Sequence, residues 1–355
     1  MRMVDRRSLA LITALALTVG ACGGSTAAPS PTAATAAPAT AAATAAPTTA
    51  APLVAANIRF SFRANGQYAP FFLGLEKGYY KEEGLDVTLQ EGTGGTQVVQ
   101  TVAAGQDFMV TPGLDIVVSA VAQGAAVKAV ATLQGSTPAG IAVLSSSGIT
   151  KPEELTGKKI MTSPGGTSNT LLNPYLRAIG VAPESVTILS VAGNAKIPGL
   201  MAKQADAVTV FGNDDFIAIR DQDAGAKFFA YGDKLDMYGI GLVVSDETAK
   251  NKPDIVKKLV RATIKAHLYS MDHPAEAVDA MFKALPNLAG SKDSHVRRVE
   301  ATMTFFKQTI DKNGCTGCMS DAVFKKMEDL LVEYGNLAKR ADNMSAYYTN
   351  TLAKP

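Results

Sequence analysis

The stretch Gln67-Tyr68-Ala69-Pro70-Phe71-Phe72-Leu73-Gly74-Leu75-Glu76-Lys77-Gly78-Tyr79-Tyr80-Lys81-Glu82-Glu83-Gly84-Leu85-Asp86-Val87 reads as helix, turn and strand in that order. Pro70 suits the first turn of a helix, where its missing N–H costs nothing, and Gly78 and Gly84 bracket the end of that helix and the start of the strand. Upstream, Ile58-Arg59-Phe60-Ser61-Phe62 alternates as a strand does, so Arg63 to Tyr68 form the loop at its carboxyl end. In open α/β sheets ligands bind at that edge. Asn65, Gln67 and Tyr68 are therefore candidate ligand contacts.

Outward from this stretch, strands are expected over 85–91, 108–110 and 127–133, with helices over 96–104 and 116–123 between them. That alternation implies parallel strands joined by right-handed crossovers, with helices on both faces. Residues 140–145 read as a strand crossing into a second lobe. There, strands over 159–162, 186–191 and 207–211 and helices over 152–156, 168–179 and 197–203 repeat the scheme. Residues 238–244 read as the return crossing. From Pro253 the text is helical, over 253–269, 274–285, 296–312 and 321–339, and these helices are expected to complete the first lobe's core. The expected organisation is a first lobe of residues 54–139 plus 246–355 and a second of 140–245. Two doubly wound sheets joined by two hinge strands leave a cleft as the natural binding site.

The chain has 355 residues, a formal net charge of +2 and no Trp. That near balance, with no basic run after the leader, gives nucleic acid nothing to bind, and any ring contact with a ligand falls to Tyr or Phe. Arg2, Arg6 and Arg7 precede an apolar run over 8–19 that is too short for a permanent span, so residues 1–21 read as a signal peptide. Its end, Val19-Gly20-Ala21-Cys22, resembles a bacterial lipobox, and Cys22 is the expected lipidation site. An ordinary secretory signal with an incidental Cys is the alternative. Residues 22–53 are mostly Ala, Pro, Thr and Ser and cannot bury enough surface to order themselves, so they read as a tether. Such a tether reaches on the order of 50–90 Å. Cys315 and Cys318 are expected to form a local disulfide between two helices, since an exported chain meets oxidising surroundings and a zinc site needs four ligands. His267, His273 and His295 all fall in the helical region, where a satisfied surface role is expected.

Gly92-Thr93-Gly94-Gly95-Thr96 and its second-lobe counterpart Ser163-Pro164-Gly165-Gly166-Thr167 both sit between a strand and a helix, so Thr93, Thr96 and Thr167 either meet a ligand or make tight turns. Neither loop ends in the Gly-Lys-Ser/Thr of a P-loop, so nucleotide hydrolysis is not supported. Tyr68, Phe71 and Phe72, with Phe211 and Phe216 from the other lobe, are arranged to sandwich a flat ring, although helix spacing sends at least one of Phe71 and Phe72 inward. In Phe211-Gly212-Asn213-Asp214-Asp215-Phe216, one Asp caps the following helix; Asn213 and the other, taken as Asp214, accept hydrogen bonds from a ligand. Asp115 is either a cleft-floor contact or an N-cap. Carboxylates in a closed cleft argue against an anionic ligand.

The run Phe72 to Val87, with its Glu-Lys-Gly-Tyr-Tyr-Lys-Glu-Glu-Gly-Leu-Asp-Val, resembles the SsuA/THI5-like substrate-binding proteins of ABC importers for thiamine-pyrimidine precursors, sulfonates and related molecules. The resemblance continues through 92–96, 102–108, 148–158 and 205–208. It implies a two-lobed α/β periplasmic-binding-protein-like (type II) fold and a monomeric, lipid-anchored receptor outside the cell membrane that serves an ABC permease and its ATPase. It implies no cofactor and no metal. Within the family, the riboflavin-binding lipoproteins share the Ala/Pro/Thr tether, which makes riboflavin the expected ligand; a thiamine-pyrimidine precursor is the second choice and an alkanesulfonate the third. The enzymatic branch, a pyrimidine synthase, works with a His in the first loop and a Cys-rich motif. Tyr68 stands where that His would be and there is no Cys run, so enzymatic activity is not expected. A tethered sensor domain is the other class of function compatible with the residues.

Overall fold

The computed structural model describes residues 52–353 apart from 289, 335, 336, 338, 339 and 342. The signal segment, Cys22 and the tether up to residue 51 lie outside the described residues. In chain order the elements are β1 (Val54–Phe60), α1 (Ala69–Glu76), α2 (Tyr79–Glu82), β2 (Leu85–Gln90), α3 (Gly95–Ala103), β3 (Met109–Thr111), α4 (Leu114–Ala122), β4 (Val127–Thr132), β5 (Ala139–Val143), β6 (Lys159–Thr162), α5 (Thr167–Thr170), α6 (Leu172–Ala178), β7 (Thr187–Ser190), α7 (Lys196–Met201), β8 (Ala207–Phe211), α8 (Asp215–Gln222), β9 (Lys227–Ala230), β10 (Gly241–Ser245), α9 (Asp246–Asn251), α10 (Pro253–Asp272), α11 (Pro274–Ala284), α12 (Lys292–Asn313) and α13 (Asp321–Tyr334). Pro70 does sit in the first turn of α1. Gly78 and Gly84 take φ of 74° and 75°, a left-handed turn that ends α1 and α2 as glycines allow.

The strands form two sheets with one plan, β2-β1-β3-β10-β4 and β7-β6-β8-β5-β9. In each, the first three strands are parallel and the fourth runs antiparallel to both neighbours. The sheets are therefore mixed, where uniformly parallel ones were expected. The expected crossing strands are also reassigned: 139–143 is an interior strand of the second sheet, and 241–245 is an interior strand of the first. The chain returns to the first sheet before residue 241, not after 245. The linking segments 133–138 and 231–240 are hydrogen-bonded to each other, with Gln134 Oε1 accepting from the Ile240 amide at 2.9 Å and Leu133 N donating to Ile240 O at 2.8 Å.

One face of the first sheet packs on α1, α10, α11 and α12 through Phe60, Phe71, Val256, Leu259 and Phe306. A separate small cluster around Leu144, Val210 and Ile219 fills one face of the second sheet. The remaining faces share one apolar cluster that runs from Val110, Leu114 and Val117 through Phe324 to Ile141, Tyr175 and Leu176. The two halves are thus not separately packed. α13 contacts both α4 of the first lobe and α6 of the second, and that shared face is the continuity. Cys315 and Cys318 are disulfide-bonded in the turn between α12 and α13, with Cα atoms 5.6 Å apart.

Candidate functional site

A cavity of about 480 Å³ lies where the carboxyl ends of the parallel strands of the two sheets face each other. Phe62, Arg63, Asn65, Gln67, Gly92 and Thr93, after β1 and β2, form the first-lobe wall. The second-lobe wall comes from the segments after β6, β7 and β8, including Ser163, Thr167, Ser168, Asn194, Lys196 and Phe211 with Asp214 and Asp215. Four expected contacts are therefore absent from the wall: Tyr68, Thr96, Asp115 and Asn213.

Tyr68 is only 1% exposed and stacks on Phe60, with ring centroids 4.3 Å apart and planes 14° from parallel. It is a core residue. Phe71 and Phe72 are buried with it, and Phe216 stacks on Phe228. The rings at the cavity are Phe62 and Phe211, one from each lobe. β1 stops at Phe60, which frees Phe62 from the strand; an atom added at Gly166 in the Cβ position would lie 3.7 Å from its Cζ, so the Phe62 ring reaches the opposite lobe.

The other displaced residues hold the lobes together. Thr96 Oγ1 donates to Gly165 O at 3.3 Å, and Thr167 Oγ1 donates to Asp115 Oδ1 at 2.8 Å. Gly113 is required at the second contact, since a Cβ there would lie 2.1 Å from Thr167 Oγ1. Asn213 Nδ2 donates to Thr302 Oγ1 of α12 at 2.9 Å and, more weakly, to Gln67 Oε1 at 3.4 Å. Asp214, directly before α8, receives Asn65 Nδ2 at 2.7 Å on one oxygen and lies 2.7 Å from Arg298 Nε of α12 on the other. Asn65 Oδ1 in turn accepts from the Gln67 amide at 2.9 Å and caps the short turn that carries Tyr68. Lys196 Nζ donates to Thr209 O at 2.8 Å and pairs with Asp215 at 3.3 Å.

Asp214 is pushed above the ordinary carboxylate range, first by burial and then by the Asp215 carboxylate, with the Arg298 guanidinium acting in the opposite direction. Asp115 is pushed up to about 6 by burial, partly offset by the Thr167 hydroxyl, and its Oδ2 is buried with no hydrogen-bond partner. Because the raised value belongs to the folded state, the ionised carboxylate penalises folding above pH 6, and the penalty fades as pH falls through 6 toward 4. Asp115→Asn is therefore expected to stabilise the chain by about 2 kcal/mol at pH 8 and by nothing at pH 4, read from urea midpoints at the two pH values.

Lys196 and Arg298 escaped the sequence reading because their partners, Asp215 and Asp214, are distant in the chain or hidden in a segment read as a cap; Arg63 and Phe62 were visible there, but Phe62 as a strand residue. His267 and His295 are buried, against the expected surface role, and His267 Nδ1 donates to Thr263 O at 2.8 Å, with the ring between Phe71 and Phe306. Burial lowers it to about 4. Among the described residues no cluster of three or more His, Cys, Asp or Glu has the arrangement of a metal site, and no helix is long and apolar enough to cross a membrane.

Comparison with known proteins adds the family. A riboflavin-binding protein RibY of Chloroflexus aurantiacus is 26% identical over 97% of both chains. The 4-amino-5-hydroxymethyl-2-methylpyrimidine phosphate synthase THI11 of Saccharomyces cerevisiae is also 26% identical, over 68% of this chain and 74% of its own. Among solved structures, the alkanesulfonate-binding protein SsuA of Xanthomonas axonopodis pv. citri bound to MOPS superposes with a TM-score of 0.66 at 19% identity, covering 84% of this chain and all of that one. The aliphatic sulphonate binding protein SsuA of Escherichia coli gives 0.66 at 15% identity, over 84% and 92%. These last two establish the periplasmic-binding-protein fold. The family model described as NMT1/THI5 like matches residues 65–277, from the loop after β1 into α11, and the chain belongs to that family.

Proposed function

We propose that the chain is the solute-binding component of an ABC importer, tethered by lipid at Cys22 to the extracytoplasmic face of the membrane, and that it closes on a flat, uncharged heterocycle and delivers it to a permease and its ATPase. The observation that carries this reading is the cavity between the two sheets, with one ring from each lobe, Phe62 and Phe211, at its wall. Closure is favourable only when a ligand meets both walls together, which is the energetic requirement for a receptor that closes on its cargo. Riboflavin is the ligand this reading names, supported by the relative named for riboflavin binding whose length this chain matches almost throughout.

A carrier is favoured over the synthase branch by the cavity itself, since none of the described lining residues is His or Cys. The carboxylates there, Asp214 and Asp215, are engaged by Asn65, Arg298 and Lys196 instead of being poised for proton transfer. Purified protein should be yellow, with quenched flavin fluorescence, and Phe211→Ala should weaken riboflavin about tenfold or more while the melting temperature of the empty form moves little. A colourless protein that ignores riboflavin in calorimetry and takes up an aminopyrimidine would replace this ligand with the thiamine-precursor reading.

A further inference from the structure

The acidic and amide side chains of the loops after β1 and β8 are already engaged. Asp214 has Asn65 and Arg298, Asp215 has Lys196, and Gln67 receives Asn213. Thr167 has given its hydroxyl to Asp115. The polar side chains left over are of one kind. Thr93 on the first lobe and Ser163, Ser168 and Asn194 on the second line the same cavity, and none of these side chains has a hydrogen-bond partner among the described residues. Each hydroxyl both donates and accepts, and so does a carboxamide, so the free set matches neutral groups with the same dual capacity.

Charge points the same way. Arg63 and Lys196 in the wall are matched by Asp214 and Asp215, so the lining carries no net formal charge to hold an oxyanion. Several neutral donor–acceptor groups beside the Phe62 and Phe211 rings suit a ring with a short chain of hydroxyls. We infer that Thr93, Ser163, Ser168 and Asn194 are specificity-determining residues that read a polyhydroxylated chain attached to the flat ring. This rests on the receptor reading above and adds to it the residues that meet the hydroxyl chain of the ligand.

The test compares riboflavin with lumiflavin, which keeps the ring and has a methyl group in place of the chain, and with flavin mononucleotide, which ends the chain in phosphate. By calorimetry on the full chain, riboflavin should bind about thirtyfold more tightly than lumiflavin, and flavin mononucleotide no more tightly than riboflavin. The double variant Ser163→Ala/Asn194→Ala should lose about thirtyfold in riboflavin affinity and no more than about twofold in lumiflavin affinity. Asn194 is exposed and Ser163 half-buried, and a melting curve establishes that the variant folds. Equal affinity of the wild-type chain for riboflavin and lumiflavin, or equal losses in the variant, overturns this inference while leaving the receptor reading intact. A much tighter grip on flavin mononucleotide that disappears in Arg63→Ala also overturns it, reassigning the donors to an anion. Binding of neither riboflavin nor lumiflavin overturns the flavin reading and this inference together.

Discussion

Tyr68→Ala should lower the stability of the empty chain by about 3–5 kcal/mol, read as a fall in the urea midpoint at unchanged slope. The ring is sealed between β1 and α1, stacked on Phe60 and 6.5 Å from the Phe71 ring, and the surrounding Ile58, Leu73 and Phe306 are themselves fully buried. Truncation leaves a void that packed neighbours on a central strand and a helix cannot collapse to fill. Tyr68→Phe separates the ring from its hydroxyl. That hydroxyl is buried near Thr111 without a well-directed partner, so its removal should cost under about 1 kcal/mol and need not destabilise at all. Ligand affinity should suffer in the Ala variant mainly through Asn65 and Gln67, which the same turn aims at the opposite lobe. If Tyr68→Ala abolished binding with the midpoint unmoved, the ring would belong to the ligand and its placement in the core would be wrong.

Where the sequence was legible, the relevant physics was local. Pro70, Gly78 and Gly84 announce the α1–α2 turn because their backbone preferences operate within a few residues. The same holds for the loops that wall the cavity: Thr93, Thr167 and Asp214 could be placed because each follows a strand, and strand ends converge in this kind of sheet. Strand direction was not legible. Alternation looks the same in β10 whether it runs with or against β3, and only the tertiary contact decides. Phe62 shows the limit of pattern at a single residue. It continues the alternation of Ile58 and Phe60 perfectly, yet the ladder ends at Phe60 and Ser61 turns its hydroxyl onto Thr111 O at 2.7 Å, releasing the next ring into the cavity. The ion pair of Asp214 was not legible, because no local signal joins it to Arg298, more than eighty residues later on a helix with an ordinary amphipathic pattern.

That pair yields the other large effect. Arg298→Met should destabilise the chain by about 3 kcal/mol at pH 9, because the Met leaves Asp214 enclosed beside Asp215 with only Asn65 and the more distant Lys196 to offset its charge. The side chains of Arg298 and Asp214 are 10% and 21% exposed, so solvent does little to screen the loss. The pH dependence has a defined sign. With the guanidinium in place Asp214 is already raised to about 7, and without it the value rises further, so the variant's folded form keeps a proton where the wild type has lost it and the deficit should shrink as pH falls from 9 through 7. Adding Asp214→Asn removes the stranded charge and should restore at least about half of the loss at pH 9, a coupling that a merely cavity-forming substitution in α12 would not show. Because Arg298 lies on the first lobe and Asp214 on the second, riboflavin affinity should also fall by about tenfold or more, with partial recovery in the double variant. A deficit of the same size at pH 9 and pH 6, with no recovery from Asp214→Asn, would mean that α12 is felt through packing alone and that the two lobes do not depend on this ion pair to meet.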